Sequence, residues 1–475
     1  MANEYDVVIL GGGTGGYVAA IRSAQLGLKT AIVEQEKLGG TCLHKGCIPS
    51  KALLKSAEVY NTAKNNAKDY GVHTENVSLD FARVQERKNS IINQLHQGVQ
   101  GLMKKGKIDV YEGKGRMLGP SIFSPMPGTI SVEMANGDEN EILILKNLIL
   151  ATGSKPKSLP GLELDEKVVM SSDGALQMEE LPKSMIIVGG GVIGIEWASM
   201  LNDFGVEVTV LEYADEIIPT EDVDISKEMK KLLTKKGIKF VTSAKVLPDT
   251  LEKTESSVTI SAEVGEKTES FTAEKMLVSV GREANVNDIG LQNTTIEVDK
   301  GVIKTRPTFQ TKEDHIYAIG DVIGGLQLAH VASHEGIAAV EHIAGISNEP
   351  MDYTKISRCI YSSPEASSVG ITEKQAREEG YKVKVGKFPF MAIGKSLVNG
   401  NSDGFVKIVA DEETEDILGV HMIGSNVTEL ISEAGLAMVL DATPWEVAST
   451  VHPHPSLSEV MGEAALAVDK KAIHM

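Results

Sequence analysis

Residues 5–34 read YDVVILGGGTGGYVAAIRSAQLGLKTAIVE, and a second stretch of the same design, SMIIVGGGVIGIEWASMLNDFGVEVTVLE, occupies residues 184–212. Each begins with a short apolar run, typical of a buried parallel strand, and continues into G-x-G-x-x-G. A helix with an apolar face and a second strand ending in an acid follow in both. The repeat predicts an α/β protein with two units built as strand, glycine turn, helix and strand.

The spacing of the glycines and acids indicates dinucleotide binding by both Rossmann-like units. The first glycine permits a tight turn, the second lets the main chain approach a pyrophosphate, and the third allows the helix to pack closely on the strand. The pyrophosphate then meets the positive end of the helix dipole. The alternative is that the glycines only pack a helix against a sheet. The glycines are Gly11, Gly13 and Gly16 in the first unit and Gly189, Gly191 and Gly194 in the second.

An acid ends each unit. Glu34 and Glu212 both lie 23 positions after the first glycine (34 − 11 and 212 − 189), where a carboxylate can accept hydrogen bonds from an adenosine ribose. No Arg or Lys occurs in residues 213–216, directly after Glu212, to meet a 2′-phosphate. The second unit is therefore expected to prefer NAD to NADP.

Composition restricts the class of protein. The 475 residues are 42% apolar and 24% charged, as in ordinary folded domains, and the net charge of −19 disfavours a nucleic-acid partner. Three cysteines are too few for a disulfide framework and fit a reducing cytoplasm. Glu4 and Asp6 precede the first apolar run, so no signal peptide is expected there. Neither apolar run is predicted to cross a membrane.

The rest of the chain differs from the repeat. Residues 119–129 are predicted to form a loop, and residues 240–280 alternate in a way that predicts exposed strands completing the second unit. From about residue 351, two predicted strands, FVKIVAD (405–411) and ILGVHMIG (417–424), lead into the apolar helix VTELISEAGLAMVL (427–440). This pattern predicts a separate α+β unit.

Two cysteines follow the first unit closely, Cys42 and Cys47 in GGTCLHKGCIPSK (39–51). On an ideal helix their Cα atoms would be about 8.7 Å apart, whereas a disulfide needs about 4.4–6.8 Å. If they pair, the segment must be distorted, and Gly46 supplies that freedom. A regular helix is predicted from Pro49, which leaves Cys47 at a helix N-terminus that favours a thiolate. The alternative is a pair of buried, unpaired thiols, and Cys359 is expected to be structural.

The two glycine motifs, the C-x4-C pair and the tail VHPHPSLSE (451–459) resemble the flavin-dependent pyridine nucleotide–disulfide oxidoreductases. Within that family, CLHKGCIPSK (42–51) is similar to the dihydrolipoamide dehydrogenases. The resemblance covers essentially the whole chain and implies a redox disulfide between Cys42 and Cys47. It also implies an FAD-binding domain (1–152), an NAD-binding domain (153–280), a central domain completing the FAD site (281–350) and a dimerisation domain (351–475). Lys45 departs from many relatives and is expected to tune the redox potential.

The resemblance further implies a set of cofactor-binding residues and no metal site. Lys51, with Glu196 as its expected partner, would stabilise negative charge on the flavin. Besides Lys51 and Glu196, the implied positions are Gly11, Gly13, Gly16, Glu34, Gly115, Thr152, Gly153, Ser154, Gly320, Asp321, Leu328, Ala329 and His330, together with Gly189, Gly191, Gly194, Glu212 and Gly281.

The C-terminal tail supplies the implied catalytic base. A histidine oriented by a carboxylate can take a proton from a dithiol near neutral pH. The resemblance gives this role to His454, with Glu459 holding its other nitrogen, and His452 is the competing candidate. The base would come from the other subunit of a homodimer. The X-Pro bond before Pro455 is a candidate cis bond.

The activity implied by the resemblance is reoxidation of protein-bound dihydrolipoyl groups by NAD+, with FAD and the Cys42–Cys47 disulfide. The expected partner is the lipoylated acyltransferase (E2) component of a 2-oxo acid dehydrogenase complex. A reductase of glutathione or mercuric ion from the same family is one alternative. A nucleotide-binding structural subunit without catalysis is another.

Overall fold

The computed structural model describes residues 3–120, 129–346 and 349–474, so most of the loop predicted at 119–129 lies outside the described residues. Thirteen α-helices occur within the described residues: α1 (Thr14–Gln25), α2 (Gly40–Lys45), α3 (Cys47–Asn61), α4 (Phe81–Gly106), α5 (Ser172–Ala175), α6 (Val192–Asp203), α7 (Val223–Lys235), α8 (Ala329–Ile343), α9 (Glu373–Glu378), α10 (Gly394–Val398), α11 (Val427–Val439), α12 (Pro444–Ser449) and α13 (Glu459–Val468). None is long and apolar enough to span a bilayer.

The described strands are β1 (Asn3–Leu10), β2 (Thr30–Glu34), β3 (Asp109–Met117), β4 (Ile130–Met134), β5 (Glu141–Leu150), β6 (Ser154–Pro156), β7 (Val169–Met170), β8 (Ser184–Val188), β9 (Glu207–Leu211), β10 (Lys239–Val241), β11 (Ala244–Lys253), β12 (Val258–Val264), β13 (Lys267–Ala273), β14 (Lys275–Val278), β15 (Arg282–Ala284), β16 (Val298–Asp299), β17 (Val302–Ile303), β18 (Ile316–Ala318), β19 (Arg358–Ile360), β20 (Glu365–Gly370), β21 (Val383–Pro389), β22 (Phe405–Asp411) and β23 (Ile417–Gly424).

Internal contacts divide the chain into two units. The first comprises Met1–Ala52, Gln85–Lys157 and Arg282–Met351, and the second comprises Leu53–Val84, Ser158–Gly281 and Asp352–Met475. Residues 282–351 therefore group with the first nucleotide motif, although more than 120 residues of the second unit precede them in the chain. The four domain boundaries implied by the resemblance remain a prediction.

The first unit is built on a parallel sheet. The apolar strand β1 pairs in parallel with β2 on one side and β5 on the other, β3 extends the sheet beyond β2, and β18 extends it beyond β5. The C-terminal half of β3 (Gly113–Met117) and the N-terminal end of β5 (Glu141–Leu143) pair antiparallel with β4. Helix α1 crosses to β2, as the repeat predicts, and packs against α8, where Gly15 would place a Cβ 3.0 Å from the Ala332 carbonyl oxygen.

The second unit contains the second copy of the motif. Its parallel sheet has the order β10, β9, β8, β14, β7, with α6 connecting β8 to β9. Strands β11, β12 and β13 form an antiparallel meander, which confirms the strands predicted between residues 240 and 280.

A five-stranded antiparallel sheet in the order β19, β20, β23, β22, β21 follows in the second unit. The predicted strands FVKIVAD and ILGVHMIG are β22 and β23, which confirms their bounds. The predicted apolar helix is α11, and it packs on β20 and β23. Both strands are almost fully buried, which explains why apolar residues occupy nearly every position rather than alternate ones.

Candidate active site

The first glycine loop has the backbone that the motif requires. Gly11 has a φ of +108°, and a Cβ on it would lie 2.2 Å from the Ala151 carbonyl oxygen. A Cβ on Gly16 would lie 1.9 Å from the Gly11 carbonyl oxygen. Any larger residue at either position would force β1, α1 or the strand end at Ala151 apart. The first and third glycines are therefore structural requirements of the turn.

The second loop repeats this geometry. Gly189 has a φ of +106°, and its Cβ would lie 2.5 Å from the Ser279 carbonyl oxygen. A Cβ on Gly194 would lie 1.9 Å from the Gly189 carbonyl oxygen. The two copies thus share both their sequence spacing and their steric limits.

The middle glycines are different. Among the described residues, no heavy atom lies within 4 Å of a Cβ placed on Gly13 or on Gly191. Gly13 immediately precedes α1, and Gly191 immediately precedes α6, so each faces open space at a helix N-terminus. Open space beside main-chain N–H groups at the positive end of a helix fits a pyrophosphate. Both loops therefore fit a dinucleotide.

The two acids bind the loops in the same way. Glu34 Oε2 accepts the Gly12 N–H at 2.6 Å and its Oε1 accepts the Glu36 N–H at 2.8 Å. Glu212 accepts the Gly190 N–H through Oε2 and the Ala214 N–H through Oε1. Burial raises the pKa of Glu34, while the main-chain N–H groups oppose that shift. Each carboxylate is held beside its glycine loop, where the motif predicts the ribose contact.

The cysteine segment is two helices separated by a break. Helix α2 ends at Lys45, Gly46 has φ −148° and ψ −112°, and α3 begins at Cys47. The predicted distortion at Gly46 is confirmed, but the predicted helix start at Pro49 is wrong by two residues. The break lets the chain turn sharply enough for a new helix to begin at once, and Pro49 lies in its first turn, where a missing N–H costs nothing.

Cys42 and Cys47 are in contact as thiols. A hydrogen bond with Cys47, burial and the charge at Cys47 raise the pKa of the Cys42 thiol, and the Lys51 ammonium opposes them. Cys47 is the first residue of α3, so it lies at the positive end of a helix dipole. The dithiol therefore keeps a proton at Cys42 and favours negative charge at Cys47.

The Thr152–Ser154 segment is joined to the predicted Gly320–Asp321 segment. Ser154 Oγ donates to Asp321 Oδ2, and Arg282 donates to Ser154 Oγ at 2.7 Å and to its carbonyl oxygen at 2.8 Å. Thr152 Oγ1 donates to the Asn285 carbonyl oxygen at 2.8 Å. Sequence reasoning missed Arg282 and Asn285, although Arg282 directly follows the glycine singled out in VGR.

The remaining positions predicted in the first unit have varied surroundings. Gly320 has a φ of +71°, and its N–H donates to Glu335, a buried acid that the sequence did not single out. Leu328 occupies the N-cap position of α8, and Ala329 and His330 lie in the first turn of that helix. A Cβ on Gly115 would lie 2.5 Å from the Leu10 side chain, so this glycine also has a packing role.

The two remaining predicted positions, Gly281 and Glu196, lie in the second unit. Gly281 has a φ of +111° with no described heavy atom within 4 Å of a Cβ placed on it. Glu196 is buried in α6, and its Oε1 accepts the Tyr361 N–H at 3.0 Å. The expected pairing of Glu196 with Lys51 remains a prediction.

The C-terminal histidines have different environments. His454 Nδ1 is 2.8 Å from Glu459 Oε1, and its side chain is 79% exposed. Its Nε2 has no hydrogen-bond partner among the described residues. The Ser456 N–H and His454 lower the pKa of Glu459, so this carboxylate stays ionised. The His452 ring is 8% exposed and its Nε2 contacts Glu433 Oε1 at 2.7 Å. His454 therefore presents an accessible Nε2 to solvent. The peptide bond between His454 and Pro455 is cis.

Comparison with known proteins identifies the family. Residues 5–336 match the family described as pyridine nucleotide-disulphide oxidoreductase, and residues 356–465 match its dimerisation domain, which supports a homodimer. The chain is 70% identical over 474 residues to the dihydrolipoyl dehydrogenase of Bacillus subtilis, with 100% of both chains covered. It is 43% identical to the mitochondrial dihydrolipoyl dehydrogenase of Pisum sativum, over 100% of this chain and 93% of that one.

A solved structure of LpdA from Mycobacterium tuberculosis has the same fold. Its TM-score is 0.89 at 24% identity, with 98% of this chain and 99% of that chain covered. The glycine loops, the paired thiols and the full-length matches agree with one another, and the chain belongs to the pyridine nucleotide–disulphide oxidoreductase family.

Proposed function

We propose that this chain reoxidises protein-bound dihydrolipoyl groups with NAD+. The observation that carries the proposal is the contact between the Cys42 thiol in α2 and the Cys47 thiol at the start of α3, in the segment that follows the first strand–helix–strand unit. Such a pair can exchange with a substrate dithiol because it closes to a disulfide and reopens. The full-length similarity to a dihydrolipoyl dehydrogenase supports the choice of substrate.

FAD and NAD are the cofactors of this family. The Gly11–Gly16 loop, Glu34 and the joined segments around Ser154 and Asp321 would hold FAD, and the Gly189–Gly194 loop with Glu212 would hold NAD. The flavin supplies a route by which an electron pair passes from the cysteines to NAD+ as hydride. The open space at Gly13 and Gly191 supports both assignments.

The protein's own groups carry out the thiol chemistry. His454 of the partner subunit removes a proton from the substrate dithiol, and Glu459 of the partner subunit stabilises the resulting imidazolium. The substrate thiolate attacks Cys42 Sγ, the Cys42–Cys47 bond breaks, and Cys47 leaves as a thiolate. The second substrate thiol loses its proton and attacks its own sulfur in the mixed disulfide. Cys42 leaves and is protonated, so the substrate is released as a disulfide.

The charge distribution at the cysteines suits this sequence. Because the Cys42 pKa is raised, the proton that arrives at the end of the exchange is retained there. Cys47 holds its negative charge at the N-terminus of α3, with the Lys51 ammonium one helical turn further along. The enzyme thus ends the exchange with its electron pair concentrated on one sulfur.

We also propose the partners and the location. The lipoyl group would be carried by the E2 component of a 2-oxo acid dehydrogenase complex, a proposal that the similarity to the dihydrolipoyl dehydrogenases supports. A cytoplasmic location is proposed from the scarcity of cysteines.

Replacing each cysteine in turn tests the function. Cys42→Ser and Cys47→Ser are expected to retain yellow, FAD-loaded protein and to lose turnover of dihydrolipoamide with NAD+. Cys359→Ser is the matched control and is expected to keep wild-type turnover. Glutathione disulfide and mercuric ion are assayed in parallel with NADH and NADPH. Faster turnover of either alternative substrate by the wild type, or normal lipoamide turnover by Cys42→Ser, would refute the proposal.

A further inference from the structure

Two histidines bind one carbonyl oxygen at the base of the cysteine segment. His44 Nε2 is 2.9 Å from the Leu38 carbonyl oxygen, and His96 Nδ1 is 2.9 Å from the same atom. The two rings are in edge contact, with centroids 5.1 Å apart and planes inclined at 70°. His44 lies between the two cysteines in sequence, whereas His96 comes from the middle of α4.

The chemistry of the carbonyl fixes both rings. A carbonyl oxygen only accepts hydrogen bonds and has two lone pairs, so both imidazoles must donate and both lone pairs are used. His44 therefore carries its proton on Nε2, and His96 carries its proton on Nδ1. Neither ring can turn over without losing its bond to Leu38.

Leu38 lies between the first nucleotide loop and the helix that carries Cys42. Its side chain is buried, and the next residue, Gly39, donates its N–H to the Gly12 carbonyl oxygen in the first nucleotide loop at 2.8 Å. Gly39 and Gly40 then have φ of +105° and +56°, after which α2 carries Cys42. Cys42 lies four positions after Leu38, so holding the Leu38 peptide constrains the start of the helix that carries the sulfur.

His44 is not suited to proton transfer. Burial lowers its pKa, the neighbouring His96 and Lys37 lower it further, and the Leu38 carbonyl and Glu36 oppose them. His44 is thus neutral at pH 7 with its Nε2 proton committed to Leu38. A second contact of the last turn of α2 is made by Lys45, whose Nζ is 2.6 Å from Glu36 Oε2, but this ion pair is exposed and contributes little to stability.

We propose that His44 and His96 are positioning residues that orient the Cys42–Cys47 pair by holding the Leu38 carbonyl oxygen between them. The proposal deepens the proposed function and rests on it. It accounts for His44, a residue inside the redox loop that takes no part in the exchange, and for His96, to which the sequence pattern assigned no role.

The atoms that donate define a selective rescue experiment. The amide nitrogen of Asn occupies nearly the position of a histidine Nδ1, and that of Gln nearly the position of Nε2. His96→Leu and His44→Leu are expected to lower kcat for dihydrolipoamide oxidation about 2- to 12-fold, as for one lost hydrogen bond. His96→Asn should restore most of that loss and His96→Gln should not. The order reverses at position 44, where Gln restores and Asn does not.

A second readout separates positioning from folding. Reduced enzyme is treated with iodoacetamide, and alkylation of Cys42 and Cys47 is followed by mass spectrometry with Cys359 as the internal reference. The Leu variants are expected to shift the ratio of Cys42 to Cys47 alkylation by at least twofold, and the rescuing amides to restore it. His342→Leu is the matched control, because it removes a hydrogen bond to Tyr317 at the far end of α8.

Two results would overturn the inference. One is a change in melting temperature alone, with wild-type kcat and alkylation ratio in both Leu variants. The other is equal rescue by Asn and Gln at both positions. If the wild type fails to oxidise dihydrolipoamide, the proposed function fails, whereas the alkylation ratio still decides whether the histidines position the cysteines.

Discussion

Replacing Lys407 by Met tests the buried charge cluster that joins α7 to the antiparallel sheet of the second unit. Lys407 Nζ lies 2.9 Å from Asp222 Oδ1, 3.1 Å from Asp224 Oδ2 and 2.8 Å from Glu373 Oε2. The side chains of Lys407 and Asp222 are each only 1% exposed. Lys407→Met keeps the length and the apolar stem but removes the cation from the buried Asp222 carboxylate, whereas Asp224 keeps its ion pair with Lys387 and Glu373 keeps its ion pair with Arg377.

The expected cost follows from burial. Removing one partner of a buried ion pair typically costs about 3–5 kcal/mol, because the remaining charge has neither water nor a counter-ion. Lys382→Met is the matched control, since Lys382 and its partner Glu413 are 67% and 62% exposed. That change is expected to cost less than about 1 kcal/mol. Urea denaturation of the FAD-loaded protein, followed by far-UV circular dichroism, measures both differences.

The stability difference between Lys407→Met and the wild type is expected to depend on pH. Burial alone would raise the pKa of Asp222, but the hydrogen bond from Lys407 and nearby positive charge lower that pKa overall. The pKa of Glu373 is lowered in the same way, by Lys407 and Arg377. In the wild type, the stabilisation is present above the ordinary carboxyl pKa and is lost as pH falls through the lowered values. In Lys407→Met the Asp222 carboxylate is destabilised by burial, so the loss of unfolding free energy is largest near pH 7 and shrinks towards pH 5. A deficit equal to that of Lys382→Met at pH 7 would refute the reasoning.

Three further changes test the site. Gly194→Ala places a Cβ 1.9 Å from the Gly189 carbonyl oxygen, so the KM for NAD+ is expected to rise at least tenfold while FAD content stays normal. His454→Gln should lower dithiol oxidation by about 10²- to 10⁴-fold in stopped-flow reduction, the usual contribution of a general base. Arg282→Met removes both hydrogen bonds to Ser154, so FAD should dissociate faster during gel filtration, and unchanged retention would count against its role.

The glycine loops were predictable because their constraints are local. The turn, the close approach and the helix packing all occur within one strand–helix–strand stretch, so residue type and spacing at Gly11 and Gly16 suffice to predict them. The same holds for β22 and β23, whose apolar runs match their observed bounds. The helix start at Cys47 was missed because Gly46 permits a sharper break than a regular turn.

Contacts between distant segments were not predictable from spacing. Arg282 reaches Ser154 across 128 positions, Lys407 reaches Asp222 across 185 positions, and His96 reaches Leu38 across 58 positions. Each of these depends on which strands and helices become neighbours after folding. A charged residue in an apolar strand, such as Lys407 in β22, was the one available signal, because an unpaired buried charge is too costly to be tolerated.

Counting thiols during turnover tests the central claim most directly. The oxidised enzyme is mixed anaerobically with one equivalent of dihydrolipoamide, quenched in acid, alkylated under denaturing conditions and mapped by mass spectrometry. We predict that Cys42 and Cys47 are protected before mixing, become alkylated together afterwards, and are protected again once NAD+ is added, while Cys359 stays the same throughout. Constant alkylation of Cys42 and Cys47 across the three states would contradict the account.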